Sequence, residues 1–343
     1  MKQFIPYFIL LTLAALTSCG PMQGMYQPGK LKDLKIAAPE QLSTSPYWTM
    51  ADGTQLYHFS QGNGTPVLVL HGGPGFPYAK EWTGLEPLTE EYQFHYFHQR
   101  GCGKSDSPVW VLDSPDYFKN MTTLESKLGL GALLSDIEQI RQILNVDKLI
   151  LIGHSYGGFL AALYAAEFPG HVEKMVLISP AHMIKNPKEI PGLYDLVMFN
   201  LPDSMISNYQ DYMKRYFDYG NLFMHTEDTL RLLNEEFFIY YAAACSNMGL
   251  PMTPVAMDRT GGWAGHGPNF STGERLDAAE FVKTVDIPVL ILHGDKDLCP
   301  VEASKFYQSI LPNSTLKVIE GADHFPYEGK PAEFAALVAD FLK

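Results

Sequence analysis

The sequence predicts an α/β protein: a mostly parallel central sheet with helices on both faces, interrupted once by an inserted helical cap. Three observations carry this. Short β-branched and leucine runs alternate with longer stretches of helical periodicity, the rhythm of strand–helix–strand units. One run, Leu149–Ile152, is apolar throughout, as strands covered on both faces are. From about His182 to Phe270 the rhythm stops, the chain becomes rich in Tyr, Phe and Met with Pro and Gly interruptions, and strands resume at Val289.

Taken in order, Thr54–Ser60 reads as an early antiparallel strand. Val67–Leu70 is a strand ending at His71-Gly72-Gly73-Pro74-Gly75, and Phe94–Phe97 ends at Gln99-Arg100-Gly101-Cys102-Gly103-Lys104-Ser105. Leu133, Ile137, Ile140, Ile143 and Leu144 recur at helical spacing. Leu149–Ile152 then runs into Gly153-His154-Ser155-Tyr156-Gly157 and the strong helix former Ala161–Phe168. Met175–Ile178, Val289–Leu292 and Leu316–Ile319 are the later strands, and Ala332–Leu342 closes the chain as a helix. The expected organisation is a core of residues 46–181 and 271–343 with a cap over 182–270.

The 343 residues are 46% hydrophobic and 18% charged, enough apolar material for one large core. Asp and Glu outnumber Lys and Arg by 38 to 25, a formal net charge of −13. An acidic surface repels phosphate backbones, and no basic run reverses it locally, so nucleic acid is not an expected partner.

The N-terminus reads as an address. Lys2 precedes an apolar run, Phe4–Leu16, which is shorter than the roughly 20 residues of a membrane span. The run ends in Leu16-Thr17-Ser18-Cys19, which resembles the lipobox of bacterial lipoprotein signals. That resemblance implies removal of residues 1–18, acylation of Cys19, and a membrane-anchored place on the bacterial cell envelope, outside the cytoplasm. Several acyl chains anchor stably where one binds marginally. An ordinary signal peptide with a coincidental cysteine is the alternative. Residues 19–45, with Pro21, Gly24, Pro28 and Gly29, read as a tether. Cys102, Cys245 and Cys299 remain, an odd number whose spacing fits no zinc site, and they read as free thiols.

Gly153-x-Ser155-x-Gly157 lies between a buried strand and a helix, the context in which a sharp turn exposes a nucleophilic serine. A serine hydroxyl needs a base to take its proton, and the base needs an acid to fix its tautomer. Late strand ends supply both: Asp295 or Asp297 after Leu292, and His324 after Ile319. Asp297 is preferred, because Asp295 directly follows the Gly294 turn, where Asp commonly bonds its own backbone. His71, His98, His154, His266 and His293 read as loop, strand or turn residues. Oxyanion donors are expected from the backbone N–H groups of Tyr156 and Gly73. The Gly101–Ser105 stretch is no Walker A loop, since His98 stands where a glycine is required. No dinucleotide fingerprint follows any strand. No cofactor and no metal are implied.

Together these motifs resemble the α/β-hydrolase fold and, within it, the proline iminopeptidase family of serine peptidases. The resemblance rests on His71–Gly75, Gln99–Ser105, the serine turn, Gly294-x-x-Asp297 and His324, and covers roughly Pro46–Ala181 and Glu280–Lys343. It implies Ser155, Asp297 and His324 as a catalytic triad with Gly73 and Tyr156 in the oxyanion hole. It further implies removal of an N-terminal residue, often proline, from a small peptide whose α-amino group is held by acidic cap residues. Glu235 or Glu236 in Asn234-Glu235-Glu236-Phe237-Phe238 is the candidate anchor, with a solvated helix face as the alternative. Trp263 is a candidate substrate contact. The same triad acting on a non-peptide ester, lactone or amide is the second reading, motivated by the aromatic cap. A non-catalytic lipoprotein that binds a ligand is the third.

Overall fold

The computed structural model describes residues 25–31, 36–42, 44–183, 190–273 and 276–343. Cys19 and the expected lipoprotein signal, residues 1–18, lie outside the described residues. Eight strands form one sheet: β1 (Tyr47–Thr49), β2 (Gln55–Gly62), β3 (Thr65–Leu70), β4 (Tyr92–Phe97), β5 (Leu149–His154), β6 (Val172–Ile178), β7 (Val289–Gly294) and β8 (Ser314–Ile319). Their spatial order is β1-β2-β4-β3-β5-β6-β7-β8, antiparallel through the first two pairings and parallel from β4 onward. The chain moves outward from β3 to β4 and then crosses back to β5, so the order reverses between β3 and β5. Ligands in open α/β sheets bind at the carboxyl ends of strands at such a reversal. The His71–Gly75 loop leaves β3 there, and Ser155 leaves β5 beside it.

Period-two alternation splits the strands between two cores. Leu149 and Leu151 of β5 join Leu68, Leu70, Met175 and Leu177 on one face. Ile150 and Ile152 join Val67, Val69, Val176 and Ile178 on the other. The first face is covered by α2 (Leu130–Ile143) and α3 (Tyr156–Glu167), which follow α1 (Tyr117–Leu128). The second is covered by Trp82, Tyr327 and the C-terminal helix Pro331–Leu342. A strand buried on both faces has no polar positions, hence the unbroken run Leu149–Ile152.

Between β6 and β7 stands a helical insert: α4 (Leu193–Asn200), α5 (Asp203–Tyr216) and α6 (Glu227–Asn247). It carries its own aromatic core, with Tyr209, Tyr212, Tyr216, Phe237 and Tyr240 packed together. Thr226 starts α6 by accepting the Thr229 N–H in its side chain. The segment returning from the insert is sewn to the two glycine-rich loops. Asp258 N–H donates to Pro77, Gly261 N–H to Gly75, and Gly103 N–H to Arg259, at 2.7–2.9 Å.

Part of the segment read as a tether is docked. Tyr26 is buried and its hydroxyl donates to Glu167, as do the N–H groups of Gly29 (2.7 Å) and Leu31 (3.2 Å). Glu167 ends α3 with no exposed surface, and a carboxylate there must be given donors. Among the described residues no helix is long and apolar enough to cross a membrane.

Candidate active site

Ser155 is the hinge between β5 and α3. Its φ of 55° and ψ of −119° put a non-glycine residue in a sparsely populated region that costs on the order of 1–3 kcal/mol. The turn is fixed by its surroundings: Ser155 N–H donates to Ile178 at 2.8 Å, and Ser155 C=O accepts from Gly158 at 2.9 Å and Ala181 at 3.0 Å. The flanking glycines are steric necessities. A Cβ on Gly157 would stand 2.2 Å from the Leu70 carbonyl oxygen, and one on Gly153 2.4 Å from that of Gly157. Tyr156 begins α3, so its N–H is among the helix donors without an intrahelical partner, while its ring is buried in the core.

The loop after β7 places Asp297, and the loop after β8 places His324. His324 Nδ1 donates to Asp297 Oδ2 at 2.7 Å, and Asp297 Oδ1 accepts the Cys299 N–H at 2.9 Å. The carboxylate side chain is fully buried and the imidazole 13% exposed. Burial alone would raise the Asp297 pKa, but the charge of His324 and its hydrogen bond bring it below the ordinary carboxylate value. Burial works against His324's charge as well, yet Asp297 lifts its pKa above the ordinary histidine value. Asp295 is turned away: it accepts the Gly321 N–H and pairs with Lys296 at the surface.

A neighbour not expected to take part supports this pair. His154 Nε2 lies 2.8 Å from the His324 carbonyl oxygen, and its Nδ1 lies 2.7 Å from the Tyr78 hydroxyl. A carbonyl only accepts, so Nε2 carries the proton. Burial, with the charge of His324 second, holds this imidazole well below its ordinary pKa and therefore neutral. Nδ1 then accepts from Tyr78. Tyr78–His154 thus pins the backbone of His324 from below.

The glycine-rich loops brace each other. His71 Nε2 accepts the Gln99 N–H at 3.0 Å, and Gln99 Nε2 returns a bond to the His71 carbonyl at 2.9 Å. Arg100 is buried against Asp136, with Nε–Oδ2 at 2.7 Å, and reaches Asp52 at 3.0 Å. Removing one partner of such a buried pair costs about 3–5 kcal/mol. This Arg is therefore structural. Gly72 lies against the serine, since a Cβ there would meet Ser155 Cβ at 2.9 Å. Gly73 follows with φ +116°, a conformation that suits glycine.

The serine, the two histidines 154 and 324, and the Gly72–Gly73 loop border one pocket of about 620 Å³, counting its open mouth. Ser155, His324, His154, Gly72 and Gly73 line its sheet side. Phe76, Leu193, Phe237, Phe238, Tyr241 and Met257 form an apolar wall opposite, and Phe76 meets Phe238 edge to face at 4.8 Å. A sequence model of the alpha/beta hydrolase fold matches residues 65–331. The chain belongs to the alpha/beta hydrolase family.

Relatives within the family carry several activities. A proline iminopeptidase of Heyndrickxia coagulans is 27% identical over 294 residues, spanning 82% of this chain and 91% of its own. The non-heme chloroperoxidase CPO-A1 of Kitasatospora aureofaciens is 28% identical over 287 residues, spanning 81% and 92%. Among solved structures, an esterase from Exiguobacterium antarcticum superposes with a TM-score of 0.57 at 21% identity, covering 86% of this chain and 98% of its own, a likeness of fold alone.

The expected substrate contacts in this hydrolase's insert stand elsewhere. Glu235 Oε1 is held by Arg231 at 2.9 Å and Thr260 at 3.0 Å, and Glu236 by Arg215 in a two-pronged pair. Neither borders the pocket. Trp263 is fully buried, with its indole N–H on the Trp110 carbonyl at 3.3 Å, so it is core rather than wall. Tyr78, His154, Phe76, Leu193, Met257 and Phe325 are among the pocket residues that sequence reasoning missed. Cys102, Cys245 and Cys299 are free thiols. Asp297, Cys299 and His324 have ligand atoms within 4.8 Å of one another. Burial and the Asp297 charge push the Cys299 thiol well up, against the thiolate that a metal would need, and Nδ1 of His324 is already engaged.

Proposed function

We propose that this chain is a serine hydrolase working through an acyl-enzyme on Ser155, and that its substrate is a peptide with an N-terminal proline or other small residue. The observation that carries the chemistry is a single pocket bordered by the serine of the strained turn and by the histidine bonded to Asp297. Ser155 Oγ attacks the carbonyl carbon while His324 Nε2 takes its proton, and the N–H groups of Gly73 and Tyr156 receive the developing oxyanion. The carbonyl re-forms, the C–N bond breaks, and His324 returns the proton to the departing amine. Water repeats the sequence on the ester and frees the acid. Asp297 holds the imidazole tautomer and stabilises its charged form. The helical insert acts as the cap, and its aromatic wall fits a small apolar ring. The relatives named proline iminopeptidases support this substrate.

A second reading, a non-peptide ester, lactone or amide, is favoured by one specific observation. Among the described residues lining the pocket none is a carboxylate, so no fixed anion waits there for a free α-amine. Proline arylamide, its N-acetylated form and p-nitrophenyl esters, assayed side by side on wild type and Ser155→Ala, decide between them. Turnover of the free-amine arylamide with none of the blocked one supports the aminopeptidase. Ester turnover with no arylamide cleavage supports the second reading. No turnover and no fluorophosphonate labelling of Ser155 would instead make the chain a non-catalytic binder.

A further inference from the structure

Large apolar side chains are exposed in many places, and five of them stand on segments that the fold brings together: Trp110 (55% exposed, with Arg259 over its ring), Val111 (55%), Tyr117 (41%), Phe118 (63%) and Met224 (81%). Ring contacts and hydrogen bonds link the segments that carry them. Tyr117 packs edge to face on Phe223 at 4.7 Å and donates its hydroxyl to the Tyr219 carbonyl at 2.8 Å. Phe223, the neighbour of Met224, stacks on Trp263 and on Phe270 at about 6 Å. Trp263 in turn donates to the carbonyl of Trp110. Isolated exposed apolar residues are ordinary on any surface, whereas a contiguous patch marks a contact face.

The N-terminal segment enters at this same spot. Met25 N–H donates to the Phe270 carbonyl at 2.9 Å, one ring away from Phe223. Met25 is six residues after Cys19, and a chain spans at most about 3.6 Å per residue, so Cys19 is held within roughly 20 Å of Met25.

We propose that the surface formed by Trp110, Val111, Tyr117, Phe118 and Met224 is the face this protein lays against a lipid bilayer. The inference rests on the reading of Cys19 as an acylated anchor. Anchored there, the molecule must keep the Phe270 end near the membrane, and that end carries a Trp and a Tyr, the side chains that favour the bilayer–water boundary. Burying the patch in lipid adds the second attachment that holds one orientation.

The test uses the full chain as made by a lipoprotein-processing bacterium, reconstituted in phosphatidylcholine vesicles with brominated or plain acyl chains. All four tryptophans are described, and Trp48, Trp82 and Trp263 are at most 5% exposed, so Trp110 alone can meet the bromines. The expected result is quenching of tryptophan emission by roughly a quarter or more in brominated vesicles, abolished in Trp110→Phe and reduced in Phe118→Ser with Met224→Ser. Equal emission in both kinds of vesicle, with acyl mass present on Cys19, overturns the orientation and leaves the anchor standing. Absence of acyl mass in the intact-protein spectrum overturns the anchor and this inference together. Neither result touches the chemistry at Ser155.

Discussion

The sheet edge and the helical insert face each other across one pocket and bring opposite chemistry to it. From the sheet come the hydroxyl of Ser155, the His324 imidazole and the glycine backbone of residues 72–73, the first two held by bonds to other strand ends. From the insert come Leu193, Phe237, Phe238 and Tyr241, with no charged group among the described lining residues. On the proposed mechanism the reaction is a property of the core, where three loops leaving parallel strands are locked by hydrogen bonds. On the same proposal, substrate choice falls to the insert, through shape and apolar area. Glu235 and Glu236 of α6 are instead each paired with an arginine of the insert.

Substitutions on the two sides should separate cleanly. On the sheet side, Asp297→Asn is expected to lower kcat on the order of 10⁴-fold, because the imidazole loses the partner that fixes its tautomer. The pH profile adds a sign. His324 must be neutral to accept the serine proton, so kcat/KM rises with pH through its pKa, which Asp297 holds above the ordinary value of about 6.5. In Asp297→Asn the residual acid limb should move to lower pH, and an unmoved limb would detach the two residues.

His154→Phe should lower kcat by about ten- to a hundredfold, since a small displacement of a catalytic base has effects of that size. Its KM should be nearly unchanged, and His154→Gln, which keeps a donor for the His324 carbonyl, should recover part of the loss. A KM effect equal to the kcat effect would contradict the positioning role. On the insert side, Phe238→Ala should raise KM about tenfold with little change in kcat, from the loss of apolar contact area. Glu235→Ala and Glu236→Ala should change arylamide kcat/KM by less than about twofold, as exposed ion pairs contribute little. A loss of tenfold or more in either would return an amine anchor to α6 and undo the contrast drawn above.

The two regions also differ in how far they can be read from sequence. Strands such as Leu149–His154 announce themselves because burial on both faces removes every polar position, and a glycine two residues either side of Ser155 reports a backbone approach that only glycine permits. The α3 helix begins five residues earlier than its apolar run suggests, at Tyr156, since Gly157 and Gly158 hide the helical start. His154 gave no signal: side chains of neighbours on a sharp turn diverge, and that divergence lets it reach the backbone of His324. In the insert, Glu235 and Glu236 have the right chemistry on the right helix, but the face each presents depends on how α6 rolls against α5, which local pattern does not specify. Trp263 looks like a binding aromatic and is core. The docking of Tyr26 and Gly29 follows from a buried carboxylate, Glu167, more than a hundred residues away.

The most direct test is intact-protein mass spectrometry after exposure to a fluorophosphonate, with peptide mapping of the adduct. One phosphonyl group on Ser155, lost in Ser155→Ala and slowed by orders of magnitude in His324→Ala, is the predicted result. An unlabelled wild-type protein that is folded by circular dichroism, or an adduct on any other residue, would contradict the account.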